Sequence, residues 1–183
     1  AVFHLAGENL ADGRWTAERK RRIRDSRVIG TRTLAAALSG LESPPEVMVC
    51  ASAVGIYGVN QDGIVREGSP PGDDWPAQVC FDWEAATAPA EAAGIRVVFM
   101  RMGIVLHPSG GMLKRVLLRF RLGLGGRLGG GTQPMSWVTL RDAVAAFRFV
   151  SETDSLSGPV NLCAPESSTN IDFTVALGKA LGR

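Results

Sequence analysis

Tyrosine occurs once in these 183 residues, histidine twice and cysteine three times. The single tyrosine is Tyr57, the histidines are His4 and His107, and the only lysines are Lys20, Lys114 and Lys179. Two distant histidines exclude a histidine-rich metal site and leave nothing for a recognisable nucleophilic triad. Cys50, Cys80 and Cys163 are odd in number and widely spaced, which argues against a disulfide framework and a zinc site. Cys50 and Cys163 sit in apolar runs and read as buried free thiols, in keeping with a reducing cytosol. No apolar run reaches the length of about 18 residues that a transmembrane helix needs. The net charge is only +2, so no global field draws the chain to nucleic acid or to an anionic membrane.

What is present is 45% hydrophobic and 21% charged, the balance of a globular chain. Apolar runs alternate with longer helical patterns. Ala1–Ala6 reads as a buried strand ending at Gly7, and Thr16 caps a helix reaching about Leu38. Val47–Ala51 is a second strand. A Gly-, Pro- and Asp-rich loop spans Gly55–Pro76. A helix over about Ala77–Ala93 stops at Gly94, and Arg96–Arg101 is a third strand. Met112–Phe120 reads as helix, Gly123–Gly131 as irregular, and Ser136–Val138 as a short strand. Arg141–Ser151 reads as helix and Pro159–Cys163 as a fourth main strand. Asn170 is placed as the cap of a last helix. The alternation and the continuous apolar strands predict an α/β fold with a doubly wound parallel sheet.

In such a sheet ligands bind at the carboxyl ends of the strands. Leu5–Glu8, Ala51–Gly58 and Arg101–Leu106 are those ends, and all are rich in small residues. Each alone is an ordinary tight turn; three in succession point to a shared cleft. Gly123, Gly126 and Gly129 spell G-x-x-G-x-x-G, but no buried strand precedes them and no helix follows, so the spelling is not a phosphate loop.

Four segments carry a family resemblance: Phe3–Leu10, Val28–Leu34, Ala51–Gly58 and Arg101–Leu106. They resemble, in order, successive strand ends and a helix of extended short-chain dehydrogenases/reductases. Phe120–Gly126 and Gly131–Val138 resemble the atypical, NAD-dependent epimerase/dehydratase-like "epimerase family" branch. The likeness runs along nearly the whole chain. It implies a Rossmann-like NAD(P)-binding domain over residues 1–183. Substrate-side segments fall around 107–140 and 164–183. The glycine-rich phosphate loop and about the first two β–α units are expected upstream of Ala1, so the domain reads as N-terminally truncated.

The resemblance also implies roles. Leu5, Ala6 and Gly7 lie along the dinucleotide, Ser52 approaches the nicotinamide ribose, and Gly103 to Val105 offer backbone to the carboxamide. Arg27 stands where relatives carry Asn, and its guanidinium can grip a phosphate bidentately. The basic stretch Arg19–Arg27 is a solvated helix face or a phosphate-contacting set led by Arg27 and Arg22, which tilts the cofactor to NADP(H) over NAD(H); nucleic-acid binding, the third reading, normally needs a wider basic footprint than one helix. Arg127, Gln133 and Trp137 are the substrate candidates. The family's Tyr-x-x-x-Lys pair is replaced by Gln78 and Asp82, neither able to do its work. Ser52 and Tyr57 remain as catalytic candidates, with Tyr57 or a bound water as substitute proton donor and a plain packing role as the alternative.

The expected function is an NADP(H)-binding epimerase/dehydratase-like protein or oxidoreductase acting on a small molecule such as a nucleotide sugar. The alternative is a non-catalytic NADP(H)-binding or sensing protein. The expected partners are a small-molecule substrate and at most a second copy in a homodimer, with no nucleic acid, membrane or metal. The expected location is cytoplasmic.

Overall fold

The computed structural model describes residues 1–59, 63–166 and 168–183. Residues 60–62 of the predicted Gly55–Pro76 loop, and Ser167 in the 164–183 segment, lie outside the described residues. The chain divides into two compact units, Ala1–Arg101 with Phe147–Asn161, and Met102–Ala146 with Leu162–Arg183.

The first unit is built on a four-stranded sheet of β1 (Val2–His4), β2 (Val47–Ala53), β3 (Arg96–Met102) and β7 (Gly158–Leu162), in that spatial order. β1 and β2 run parallel, with Phe3 opposite Val49. β2 is buried through Ser52 and β3 from Val97 to Arg101, as strands covered on both faces must be. Helix α1 (Ala17–Ser39) begins where Thr16 accepts a hydrogen bond from the Arg19 amide. It buries Ile23, Val28, Thr31, Ala35 and Leu38, and Ala35 and Leu38 join Met48, Cys50, Val97 and Phe99 in the core.

The helix expected over Ala77–Ala93 is two helices, α2 (Trp75–Ala85) and α3 (Ala88–Ala92). Asp74 caps α2 by accepting from the Ala77 amide at 2.9 Å. The break falls before Pro89, which supplies no N–H to continue the ladder and sits in the first turn of α3. The described part of the loop before α2 carries local structure. A 3-10 turn spans Val54–Tyr57, and Gly72 crosses Gly58 so closely that a β-carbon on Gly72 would lie 2.6 Å from the Gly58 Cα. At the start of β3 Arg96 donates to the carbonyls of Val150, Ser151 and Leu156, tying down the end of helix α5 (Leu140–Glu152).

The second unit pairs β4 (Ile104–Leu106) with β6 (Trp137–Thr139) in parallel, and β5 (Pro134–Met135) with β8 (Ser168–Thr169) antiparallel. It also holds α4 (Gly111–Arg121) and α6 (Asn170–Ala180). The cap of α6 is Thr169, in a reciprocal box with Asp172, and not Asn170. Asn170 is buried, and its side-chain oxygen accepts from the Leu128 amide at 2.7 Å. Cys163 is exposed, because it follows β7 and does not lie within it; Cys50 and Cys80 are buried.

His4 is buried, its Nε2 2.8 Å from the Thr31 hydroxyl, and burial holds its pKa below 6.5. Unfolded, the imidazole takes its proton first, so stability is expected to fall as pH drops below 6.5 and to be indifferent to this group above it. His4→Gln should flatten that fall in urea midpoints measured from pH 7 downward. An equally steep fall in the variant would assign the effect elsewhere.

Candidate functional site

At the carboxyl end of β1 the chain leaves the sheet as Leu5-Ala6-Gly7, all exposed, Leu5 to 62%. The Arg27 guanidinium lies against Gly7, where a β-carbon would meet its Cζ at 3.1 Å. Arg27 Nη1 donates to the carbonyls of Glu8 and Ile23, each at 3.1 Å, and the guanidinium sits 5.0 Å from the centre of the Trp83 ring. Trp83 is fixed in turn by donating Nε1–H to the Thr31 hydroxyl at 2.9 Å. Burial lowers the Arg27 pKa, opposed by Cys80 and Glu8.

The basic stretch of α1 is sorted by partner. Arg22 and Arg19 approach the Glu8 carboxylate at 3.5 and 3.6 Å. Arg24 turns to α2 and donates through Nε and Nη2 to Asp82, at 3.0 and 2.7 Å. Gln78 donates to the other Asp82 oxygen at 2.8 Å. Desolvation works against the Asp82 carboxylate, but the hydrogen bonds from Gln78 and Arg24 prevail and keep its pKa low. Gln78 and Asp82 therefore bond to each other, and Asp82 ties α2 to α1 through Arg24.

Ser52 and Tyr57 come together in a second, buried network, at 2% and 3% exposure. Ser52 Oγ donates to Glu84 Oε1 at 2.6 Å. Glu84 also takes the Arg101 fork, Nε at 2.9 Å and Nη2 at 2.8 Å. Arg101 Nη1 reaches the Tyr57 hydroxyl at 3.0 Å and the Glu67 carbonyl at 2.9 Å. Tyr57 donates onward to Asn161 Oδ1 at 2.6 Å, and the Asn161 amide donates to the Glu67 carboxylate at 2.8 Å. That backbone bond leads the causes holding the Glu67 pKa below its ordinary value. The hydrogen bond to Glu84 raises the Arg101 pKa against its desolvation.

Glu84, Arg101, Glu67 and Asn161 were not among the expected site residues. One signal was available. Arg101 follows the apolar run Val97–Met100, and a charge there requires a buried counter-charge. The neighbouring Cys80 is no nucleophile; burial pushes its thiol up to about 11.

In the second unit the Gly103 amide donates to the Leu162 carbonyl at 2.9 Å. Val105 pairs with Val138 between β4 and β6. Arg127 and Gln133 share one exposed loop: the Arg127 stem lies against Gly131, and Gln133 donates to the Leu128 carbonyl at 2.9 Å. Trp137 is half-buried on β6. Among the described residues no group of three or more His, Cys, Asp or Glu side chains is placed to hold a metal. No helix there is long and apolar enough to cross a membrane.

The NAD dependent epimerase/dehydratase family matches residues 1–163. An epimerase family protein of Mycobacterium bovis is 46% identical over 183 residues, covering 100% of this chain and 60% of its own length. The crystal structure of human epimerase family protein SDR39U1 (isoform 2), solved with NADPH, superposes with a TM-score of 0.93 at 35% identity, covering 99% of this chain and 62% of that one. A nucleoside-diphosphate sugar epimerase structure from Corynebacterium glutamicum gives a TM-score of 0.82 at 38% identity, covering 98% of this chain and 38% of that one. The chain thus spans about 60% of the length of the curated relatives it matches.

Proposed function

Because this chain belongs to the NAD dependent epimerase/dehydratase family and has its Rossmann-like fold, we propose that it carries part of an NADP(H) site serving a small-molecule substrate, with a nucleotide sugar as the leading class. The observation that carries the reading is the placing of Arg22 and Arg27 beside the exposed Leu5-Ala6-Gly7 strand end. The donor set fits an anionic dinucleotide. The segment has little side-chain bulk beyond Leu5, and both cations converge on it through Glu8. Arg27, stacked on Trp83, is held in advance of binding, which limits the ordering cost. Arg22 keeps its side chain 55% exposed and is free to turn toward a phosphate. The NADPH bound in the human relative agrees with this choice over NADH.

Bound there, the cofactor would supply hydride transfer. The chain's own residues bind and orient; Ser52 and Tyr57 act in this reading as positioning residues, because both hydroxyl protons are committed inside the buried network. The same commitment, with the Gln78–Asp82 replacement, favours a second reading in which the protein binds or senses NADP(H) without turnover.

The test is titration of the full-length protein with NADPH followed by nicotinamide fluorescence, then turnover over carbonyl and nucleotide-sugar panels. Absence of binding at micromolar concentrations removes both readings, and binding without turnover selects the sensor. Arg27→Ala is expected to weaken NADPH by about tenfold or more, the worth of a charge-assisted bond, and NADH far less. Equal losses for the two would sink the phosphate assignment.

A further inference from the structure

The net charge of +2 conceals a segregation. The second unit holds eight Lys and Arg against three Asp and Glu, while the first holds twelve against fifteen. From Ala92 to Arg141 there is no acidic residue at all. Much of the excess falls in α4 and the loop that follows it. Lys114, Arg119 and Arg121 of α4 and Arg127 of the following loop are all exposed. Set among these cations are four large apolar side chains in contact with water: Leu118 (64% exposed), Leu122 (65%), Leu124 (75%) and Leu128 (61%).

Leu118, the one of these within α4, does not lie on its core face. That face is turned inward through Phe120, which is buried, and the partly buried Leu113, Val116 and Leu117. The outward face therefore carries leucine where a merely solvated basic helix would carry polar residues. On the inward side a cavity of about 640 Å³ lies between Phe120, Gly123 and Gly125 and Thr174, Val175 and Lys179 of α6. Val175 is 64% exposed, and Lys179 adds another cation.

We propose that the exposed basic and apolar side chains of Lys114 to Leu128 dock on an anionic lipid bilayer. The pairing of charges selects the partner. A second copy would set cation against cation, and nucleic acid would satisfy the arginines but give the leucines no apolar phase. A bilayer surface satisfies both: anionic headgroups meet the Lys and Arg heads, and the leucines enter the headgroup–acyl boundary. Arg and Lys stems lie along the apolar layer while their heads stay at the phosphates. The mode is peripheral, since α4 has only 11 residues. It sets aside the expectation of no membrane partner, which rested on the net charge of the whole chain.

The experiment is flotation of the chain with phosphatidylcholine vesicles, with and without phosphatidylserine, at low and high salt. Binding is expected only with phosphatidylserine and should weaken as salt rises. Each cation near an anionic surface contributes about fivefold to partitioning, so Arg119→Gln with Arg121→Gln should cost about 25-fold. Leu118→Ser with Leu124→Ser should cost about tenfold at constant charge, even with half-burial of each side chain. All four positions are exposed, so circular dichroism should show the variants folded. No binding to phosphatidylserine vesicles at low salt overturns the proposal, as does equal binding to neutral vesicles. Unchanged binding of the serine variant also overturns it. Binding of polyglutamate as tight as that of vesicles, indifferent to the serine changes, would assign the face to an acidic protein instead.

Discussion

Arg101→Met is expected to unfold the first unit or bring it to the edge of unfolding, with a loss of about 3–5 kcal/mol. The Arg101 and Glu84 side chains are only 9% and 12% exposed, so water cannot take over when the guanidinium is removed. The Glu84 carboxylate would keep a single donor, the Ser52 hydroxyl, and remain an uncompensated buried charge. Tyr57 and the Glu67 carbonyl would each lose a hydrogen bond. Against a total stability of about 5–15 kcal/mol, such a loss is decisive. Arg101→Lys should recover only part of it, because an ammonium cannot fork across both Glu84 oxygens. Adding Glu84→Leu to Arg101→Met should restore stability by removing the orphaned charge. Urea unfolding followed by circular dichroism measures all three. A change below about 1 kcal/mol in the single variant would show the pair to be an ordinary surface bridge.

Gly103→Ala carries the second large effect, a loss of about 2–3 kcal/mol from overpacking in the second unit. The added β-carbon would lie 2.7 Å from the carbonyl carbon and oxygen of Ser136 and 2.9 Å from the Trp137 amide. Both contacts are backbone and cannot swing aside. They belong to the joint where the Ile104 amide donates to the Ser136 carbonyl, at the start of the β4–β6 pairing. The same variant weighs two reasons for a glycine here. If it serves the packing of β6, hydrogen exchange should quicken across Ile104–Leu106 and Trp137–Thr139. If it serves ligand approach, the fold should hold while NADPH affinity falls about tenfold, a loss typical of one hydrogen bond to a charged or well-placed partner. The observed geometry favours the first outcome.

Much of the architecture was legible because it follows from local rules. The continuous apolar runs at Val47–Ala51 and Arg96–Arg101 became the buried β2 and β3. Thr16 capped α1 as a hydroxyl before a helical pattern should. The break between α2 and α3 was visible in Pro89 but was overridden by the apolar pattern on both sides. The two-residue strands β5 and β8 were not legible, since Pro134-Met135 and Ser168-Thr169 have no periodicity of their own and form only by pairing. Asn170 has the chemistry of a cap, yet Thr169 one residue earlier took the position. The buried amide of Asn170 holds Leu128 instead.

The sequence by itself determined the family and the parallel α/β fold. Both rest on residue identity in order along the chain. It also placed Arg27 three residues before Gly30, where a cation could be seen but not its partners. Only the tertiary structure decided that Arg27 packs on Gly7 and Trp83, that Ser52 and Tyr57 share one buried ion-pair network, and that Leu118 of α4 faces water. Glu84 and Arg101 are 17 residues apart, and Tyr57 and Asn161 are 104 apart. Hydrogen bonds form between side chains that folding brings within 3 Å, and no periodicity in a sequence records which distant pairs those will be.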